Sequence, residues 1–284
     1  MIRPPALQMR PFAAPDRRKV ERLLDRSPKV HTHLDWEEPQ TWFRRPPTML
    51  AFRGRALVGV LSAPPDPPDV AWVRLAAVSA GVPPATALDR LWQAVRADLV
   101  NRETCRAAAL TLDPWMEPLL GRWGFAQSHS VVALSRNNRP PPEMPLVAAR
   151  IRLARKADLS AIGTADNAAF EAPWALSAQA LQAALARGAY ATVAELDGAV
   201  VGYQITTGGR YGAHLARLAV LPALQGRRIG RALVADMLRH FDRLGAPAVG
   251  VNTQDNNAAS LALYEALEFH FTGESYPVWQ LHLV

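Results

Sequence analysis

Apolar residues along this chain recur at two spacings, and together they predict an ordered series of strands and helices. Short runs bounded by Gly, Pro, Asn or Asp, such as residues 71–78, 199–206, 215–220 and 249–253, predict strands. Two longer segments have helical spacing. Residues 85–100 place Leu88, Leu91, Trp92 and Val95 on one face, and residues 231–244 do the same with Leu233, Val234, Met237, Leu238 and Phe241.

Read in order, the first half predicts a strand at 7–12, then a helix at 16–24 with Asp16 at its cap. The segment 29–47 predicts an irregular or weakly helical stretch. A hairpin (49–52 and 56–62), a strand and the helix 85–100 follow. The second half predicts a strand at 149–154, helices at 158–168 and 177–186, and a hairpin turning at Asp197-Gly198. Ser177 is the expected cap of the second of these helices. The strand 215–220, the helix 231–244, the strand 249–253, a helix at 257–264 and one or two closing strands complete the chain.

The two halves repeat. Met9-Arg10-Pro11-Phe12 and Asp16 return 142 residues later as Ile151-Arg152-Leu153-Ala154 and Asp158. Arg74 to Val78 corresponds to Ala216 to Val220, and Trp123-Gly124-Phe125 to Leu267-Glu268-Phe269. Between the copies lies the proline-rich run Asn137 to Pro145. The expected organisation is a first domain at 1–138, a linker at 139–148 and a second domain at 149–284.

Composition adds exclusions. A chain of 284 residues suits about two domains at roughly 150 residues each. No apolar run approaches the roughly 20 residues of a membrane span, and the N-terminus MIRPPALQMRPF lacks a signal peptide's apolar core, so a cytoplasmic protein is expected. Cys105 is the single cysteine, which excludes an intrachain disulfide and a cysteine-cluster metal site. His31 and His33 alternate with Asp35 and Glu37, but without a further ligand pair they read as a solvated loop, and no metal is expected. The net charge of +7 is almost all arginine; the arginines are scattered and not interleaved with aromatics, so a nucleic-acid partner is not expected. The sequence leaves the oligomeric state open.

The candidate chemistry sits where the strand 215–220 turns into its helix, through Pro222 and Gln225-Gly226-Arg227-Arg228-Ile229-Gly230. A loop opening a helix presents unpaired N–H groups at the positive end of the helix dipole, which suits a phosphate. Gly226 and Gly230 allow close approach, and Arg227, Arg228 and Arg231 add charge. A second stretch runs from Asn257 through Ala258, Ala259 and Leu263 to Tyr264, then Phe269; Asn257 and Tyr264 are about two helical turns apart.

These two stretches resemble the signatures of the GNAT family of N-acetyltransferases. The first resembles its acyl-CoA-binding motif Gln/Arg-x-x-Gly-x-Gly/Ala, with Gln225 and Gly230 matching and Arg228 standing where the first glycine usually is. The second resembles Asn-x-x-Ala-x-x-Leu-Tyr followed by Gly-Phe, with Glu268 replacing the glycine. The resemblance implies an α/β (α+β) fold of two tandem GNAT-like domains, each a mixed, mainly antiparallel twisted sheet flanked by helices. It implies an acyltransferase moving an acetyl group from acetyl-CoA to a primary amine of a small molecule or peptide. A non-catalytic acyl-CoA-binding sensor is the alternative.

The resemblance also assigns roles. Backbone groups of Leu218 and Val220, with Ala219 between them, would pair with the pantetheine arm on a strand splayed from its neighbour. N–H groups from Gln225 through Gly226, Arg227, Arg228, Ile229 and Gly230 to Arg231 would hold the pyrophosphate. Asn252 and Asn257 would contact the cofactor, and Tyr264 would protonate the departing thiolate. His214, Glu195 or Glu171 would be the base, or a water chain relayed by backbone groups. Phe170, Trp174, Tyr203 and also Tyr276 would line the acceptor pocket. In the first copy Pro83 and Pro84 replace Gln225 and Gly226, Leu88 replaces Gly230, Asp113 replaces Asn257 and Leu120 replaces Tyr264. Prolines donate no N–H. That copy is expected to keep the fold and lack the site, serving as scaffold or substrate wall.

Overall fold

The computed structural model describes residues 6–137 and 139–283; Asn138, in the proline linker, lies outside them. Two compact units form. One takes the chain up to Ser128 together with its return from Tyr276 onward, and the other is His129–Ser275.

The first unit contains β1 (Leu7–Pro11), α1 (Arg17–Arg26), β2 (Lys29–Thr32), α2 (Pro39–Phe43), β3 (Thr48–Arg53), β4 (Ala56–Ser62), β5 (Val70–Trp72), β6 (Leu75–Val78), α3 (Pro84–Asn101), β7 (Arg106–Leu110) and α4 (Glu117–Arg122). Its main sheet has the order β1-β3-β4-β6-β2 with every neighbour antiparallel. Along β6 successive side chains take opposite faces. Ala76 and Val78 join Leu88, Leu91, Trp92 and Val95 of α3, whereas Leu75 and Ala77 join Val20, Leu23 and Phe43 from α1 and α2. The helical stripe expected at 85–100 is thus the core face of α3.

One expectation holds only in part in this unit. The stretch 29–47, expected to be irregular or weakly helical, contains the short helix α2 but opens with the strand β2, and His31 and His33 do not sit on a solvated loop. His31 is 5% exposed and bonds the Val73 carbonyl at 2.9 Å through Nε2, and His33 stacks on Trp72 at 4.5 Å. The four residues Lys-Val-His-Thr carry too little pattern to announce a strand. The ladder with β6, far along the chain, makes them one.

The second unit follows from β8 (Ala126–Asn137), with β9 (Arg150–Leu153), α5 (Leu159–Ala169), α6 (Ala178–Arg187), β10 (Tyr190–Leu196), β11 (Ala199–Gly209), β12 (Gly212–Val220), α7 (Ile229–Arg243), β13 (Ala248–Gln254), α8 (Ala258–Glu265) and β14 (His270–His282). Its sheet runs β8-β13-β12-β11-β10-β9, antiparallel except for β12 and β13. The stripe Val234, Met237, Leu238 and Phe241 of α7 packs with Leu215, Val249, Val251, Tyr264 and Phe269 on one face. On the other face α5 carries Asp166 against Tyr203 and Arg217.

The repeat is visible in side chains. Arg10 grips Asp16 at 2.6 and 2.7 Å, and Arg152 grips Asp158 at 2.7 and 3.0 Å. In each copy the aspartate also accepts a backbone N–H three residues back, from Ala13 or Arg155. The linear division at 139–148 follows chain order; packing takes the strand ends differently. Residues 131–137 of β8 pair with β13 in the second unit, and residues 278–282 of β14 pair with β7 in the first. Among the described residues no helix is long and apolar enough to cross a membrane.

Candidate active site

Strand β12 organises the site through an interrupted ladder. It pairs in parallel with β13 only at Ala213, His214 and Leu215, opposite Val249, Gly250 and Val251. On its other side it stays paired with β11 as far as Val220 opposite Gly202. The register slips between Ile205 and Thr206, which face Arg217 and Leu215, so Ala216 is the extra residue of a bulge. The bulge bends β12, and the two parallel strands part beyond it.

Hydrogen-bond alternation fixes which groups face that gap. Leu221 N–H bonds the Val201 carbonyl at 2.9 Å, so the peptide groups of Val220 and Leu218 turn away from β11 toward the opening. Ala219 between them points back into the sheet. The Val220 carbonyl accepts from Gln225 Nε2 at 3.1 Å, which ties the following loop to the strand end.

That loop becomes a helix mouth. Gly226 has φ 75° and Arg228 φ 62°, and the first helical bond of α7 runs from Ala232 N–H to the Arg228 carbonyl at 3.0 Å. The N–H groups of Ile229, Gly230 and Arg231 therefore have no acceptor within the helix. Arg227, Arg228 and Arg231 are exposed around them. A Cβ on Gly230 would lie 3.6 Å from Leu263 and 3.8 Å from Val220, so α8 and β12 converge on the mouth. Donors, dipole and guanidinium groups fit a diphosphate, and the gap fits an extended arm with amide groups of its own.

On α8, Asn257 is the N-cap; its Oδ1 accepts from Ser260 N–H at 3.0 Å, leaving the amide N–H groups as donors. Tyr264 is buried, 5.6 Å from the Phe269 ring, and burial pushes its hydroxyl pKa up. Asn252 lies opposite Ala133 of β8, on the sheet face away from α7.

Residues 159–269 match the model of the acetyltransferase (GNAT) family. The match covers most of the second unit, His129–Ser275. The whole chain is similar in fold to a tandem GNAT protein from the clavulanic acid biosynthesis pathway: 19% identity, 98% of this chain and 99% of that one covered, TM-score 0.64. It is also similar to GCN5-related N-acetyltransferases from Sphaerobacter thermophilus (13% identity, 98% and 96% covered, TM-score 0.63) and Kribbella flavida (14%, 96% and 70%, TM-score 0.69). No curated protein matches the sequence. The chain has a tandem GNAT fold, and acyl transfer is the family's reaction.

Both departures from the GNAT glycines keep the glycine conformation. Arg228 and Glu268 each have φ 62°, as Gly124 does at φ 89° where the first copy matches Glu268. Glu268 is held there by Arg139 at 2.8 Å and Arg136 at 3.3 Å.

The candidate bases separate. Glu195 Oε2 accepts from Arg152 Nε at 2.6 Å, so its carboxylate belongs to the ion cluster with Asp158. His214 lies where β12 and β13 are still paired, its Nδ1 3.1 Å from where a Cβ on Gly250 would stand, and burial lowers its pKa. Glu171 is exposed on the loop after α5.

Tyr203, expected on the pocket wall, is fully buried, and its hydroxyl bonds Asp166. Its ring is large and apolar enough to fill the core beneath α5, and the carboxylate satisfies its hydroxyl. Asp166 is 0% exposed and also takes Arg217 Nε and Nη2 at 2.8 and 2.9 Å. Arg217 in turn lies over the Phe170 ring at 3.6 Å and bonds the Trp174 carbonyl at 2.7 Å. Phe170 and Trp174 are half-buried on this face. Asp166 and Arg217 were not among the residues expected at the site. The signal was there: charged residues on core-facing positions of a strand and a helix.

The first copy differs in both halves of this arrangement. Pro83 caps α3 and Pro84 opens it, so neither position has an N–H to offer, and the Thr86 N–H is turned back onto the Pro83 carbonyl at 3.0 Å. The flank of β6 matching the gap is occupied by β2, paired from Lys29 opposite Val78 to Thr32 opposite Leu75.

Proposed function

We propose that the second domain binds acetyl-CoA and transfers its acetyl group to a primary amine, and that the first domain is a scaffold without a cofactor site. The observation that carries this reading is the parting of β12 and β13 beside the uncapped mouth of α7. Bound there, acetyl-CoA supplies an activated acyl thioester. The Leu218 and Val220 peptide groups align its arm, and the N–H groups of Ile229, Gly230 and Arg231 hold its diphosphate. The Leu218 N–H offers a donor to the oxygen on which charge develops. Tyr264, kept protonated by burial, gives its proton to the leaving thiolate.

The test combines binding and turnover. Thermal stabilisation by acetyl-CoA is measured on the wild type, Tyr264→Phe and Arg227→Glu/Arg231→Glu, beside thiol release with a panel of primary amines. Tyr264→Phe is expected to bind but to turn over about 100-fold more slowly. The charge-reversed variant is expected to lose stabilisation. Binding without thiol release in the wild type would favour a sensor; no stabilisation at all would reject the reading.

A further inference from the structure

The reaction needs a group that takes a proton from the acceptor ammonium, and neither His214 nor Glu195 stands at the open end of the cleft. Alternation along β8 settles which of its residues face that end. Val132 and Leu134 join the core under α7 and α8, so His129, Val131 and Ala133 point to the opposite face, where α5, Phe170 and Trp174 lie. The His129 ring meets the Trp174 ring at 5.7 Å, tilted by 52°. Trp174 also receives Arg217 of β12 on its carbonyl. One residue thus spans from β12 to β8 over the gap between β12 and β13, with His129 at its far end.

Resting on the acyltransfer reading, we propose that His129 is the general base that deprotonates the acceptor amine. Of the three protons on the ammonium, one stays on the product amide. One passes to the His129 imidazole and on to solvent. As the amine nitrogen bonds to the acyl carbon and the carbon–sulfur bond breaks, Tyr264 protonates the sulfur and regains its proton from the third. No oxidant or metal enters this balance.

The surroundings suit the role. Burial lowers the His129 pKa, so the imidazole is neutral at pH 7 and can accept a proton, while Asp255 opposes that shift. Asp255 is fixed by its N–H on the Ser130 carbonyl at 2.8 Å. Charged groups on elements around it include Glu171, exposed on the Trp174 loop, Glu274, exposed on β14 beside β8, and Arg217, paired with Asp166 behind Trp174. His214 is on the same face but at the closed end.

The test is the pH dependence of kcat/KM for thiol release from acetyl-CoA, with the best primary amine of the panel or, without one, with water as acceptor. The wild type is expected to lose activity on the acid side as one group protonates. His129→Gln is expected to lose about 100-fold and the acid limb with it, while keeping its affinity for acetyl-CoA. Asp255→Asn is expected to move the limb to lower pH, because the charge supporting the imidazolium is gone; a merely structural role would not move it. An unchanged limb in both variants would overturn the assignment of His129 and leave the acyltransfer reading standing. Acetyl-CoA binding without thiol release in the wild type would overturn both.

Discussion

Lys29 faces Val78 across an antiparallel ladder, whereas Val220, the match of Val78 in the second copy, has no such strand on that flank. The same fold thus closes in one copy the slot it opens in the other. With Pro83 and Pro84 at the adjoining helix mouth, two independent features set the first copy apart from the second. Isothermal titration is expected to give one acetyl-CoA per chain. Replacing the prolines by Gln and Gly is expected to leave that stoichiometry at one, because β2 still fills the slot; a second bound equivalent would contradict it.

Arg228 occupies the left-handed region at φ 62°, where a side chain costs roughly 1 kcal/mol that glycine avoids. Arg228→Gly is expected to stabilise the apo protein by up to about 1 kcal/mol in urea unfolding. A loss of stability would show that the guanidinium is worth more than the strain.

Asp166 is buried with Arg217 and Tyr203, so removing it strands a buried guanidinium. Asp166→Ala is expected to lower stability by about 3 kcal/mol or more. Asp166→Asn, which keeps hydrogen-bonding capacity, is expected to lose less. Equal losses would mean that the charge of Asp166 does not matter.

His31 and His33 are held neutral, both pushed down by burial, with Arg74 and each other's proximity adding to the effect at His33. The unfolded chain protonates them near pH 6.5 while the folded one resists. Their contribution is therefore complete above that pH and lost as pH falls below it. Urea midpoints between pH 8 and 5.5 are expected to fall, and to fall less in His31→Gln/His33→Gln. Identical slopes would rule these residues out as the cause.

Much of this was legible from residues alone. The α7 stripe, the Gln225–Arg231 loop, the Asn257 and Tyr264 spacing and the Arg10–Asp16 repeat are local patterns, and each appears where the spacing put it. What was not legible depends on long-range pairing. Nothing in Lys29–Thr32 says that it lies along β6, and nothing in Ala126–Asn137 says that its end joins β13. Tyr203 was misplaced for the same reason: only the fold shows that Asp166 waits above it.

Hydrogen–deuterium exchange with and without acetyl-CoA tests the central claim most directly, because it reads the backbone donors themselves. Protection is expected at the amides of 218, 220 and 226–231 and at none of 75–88. Protection in the first copy, or none at 226–231, would contradict the account.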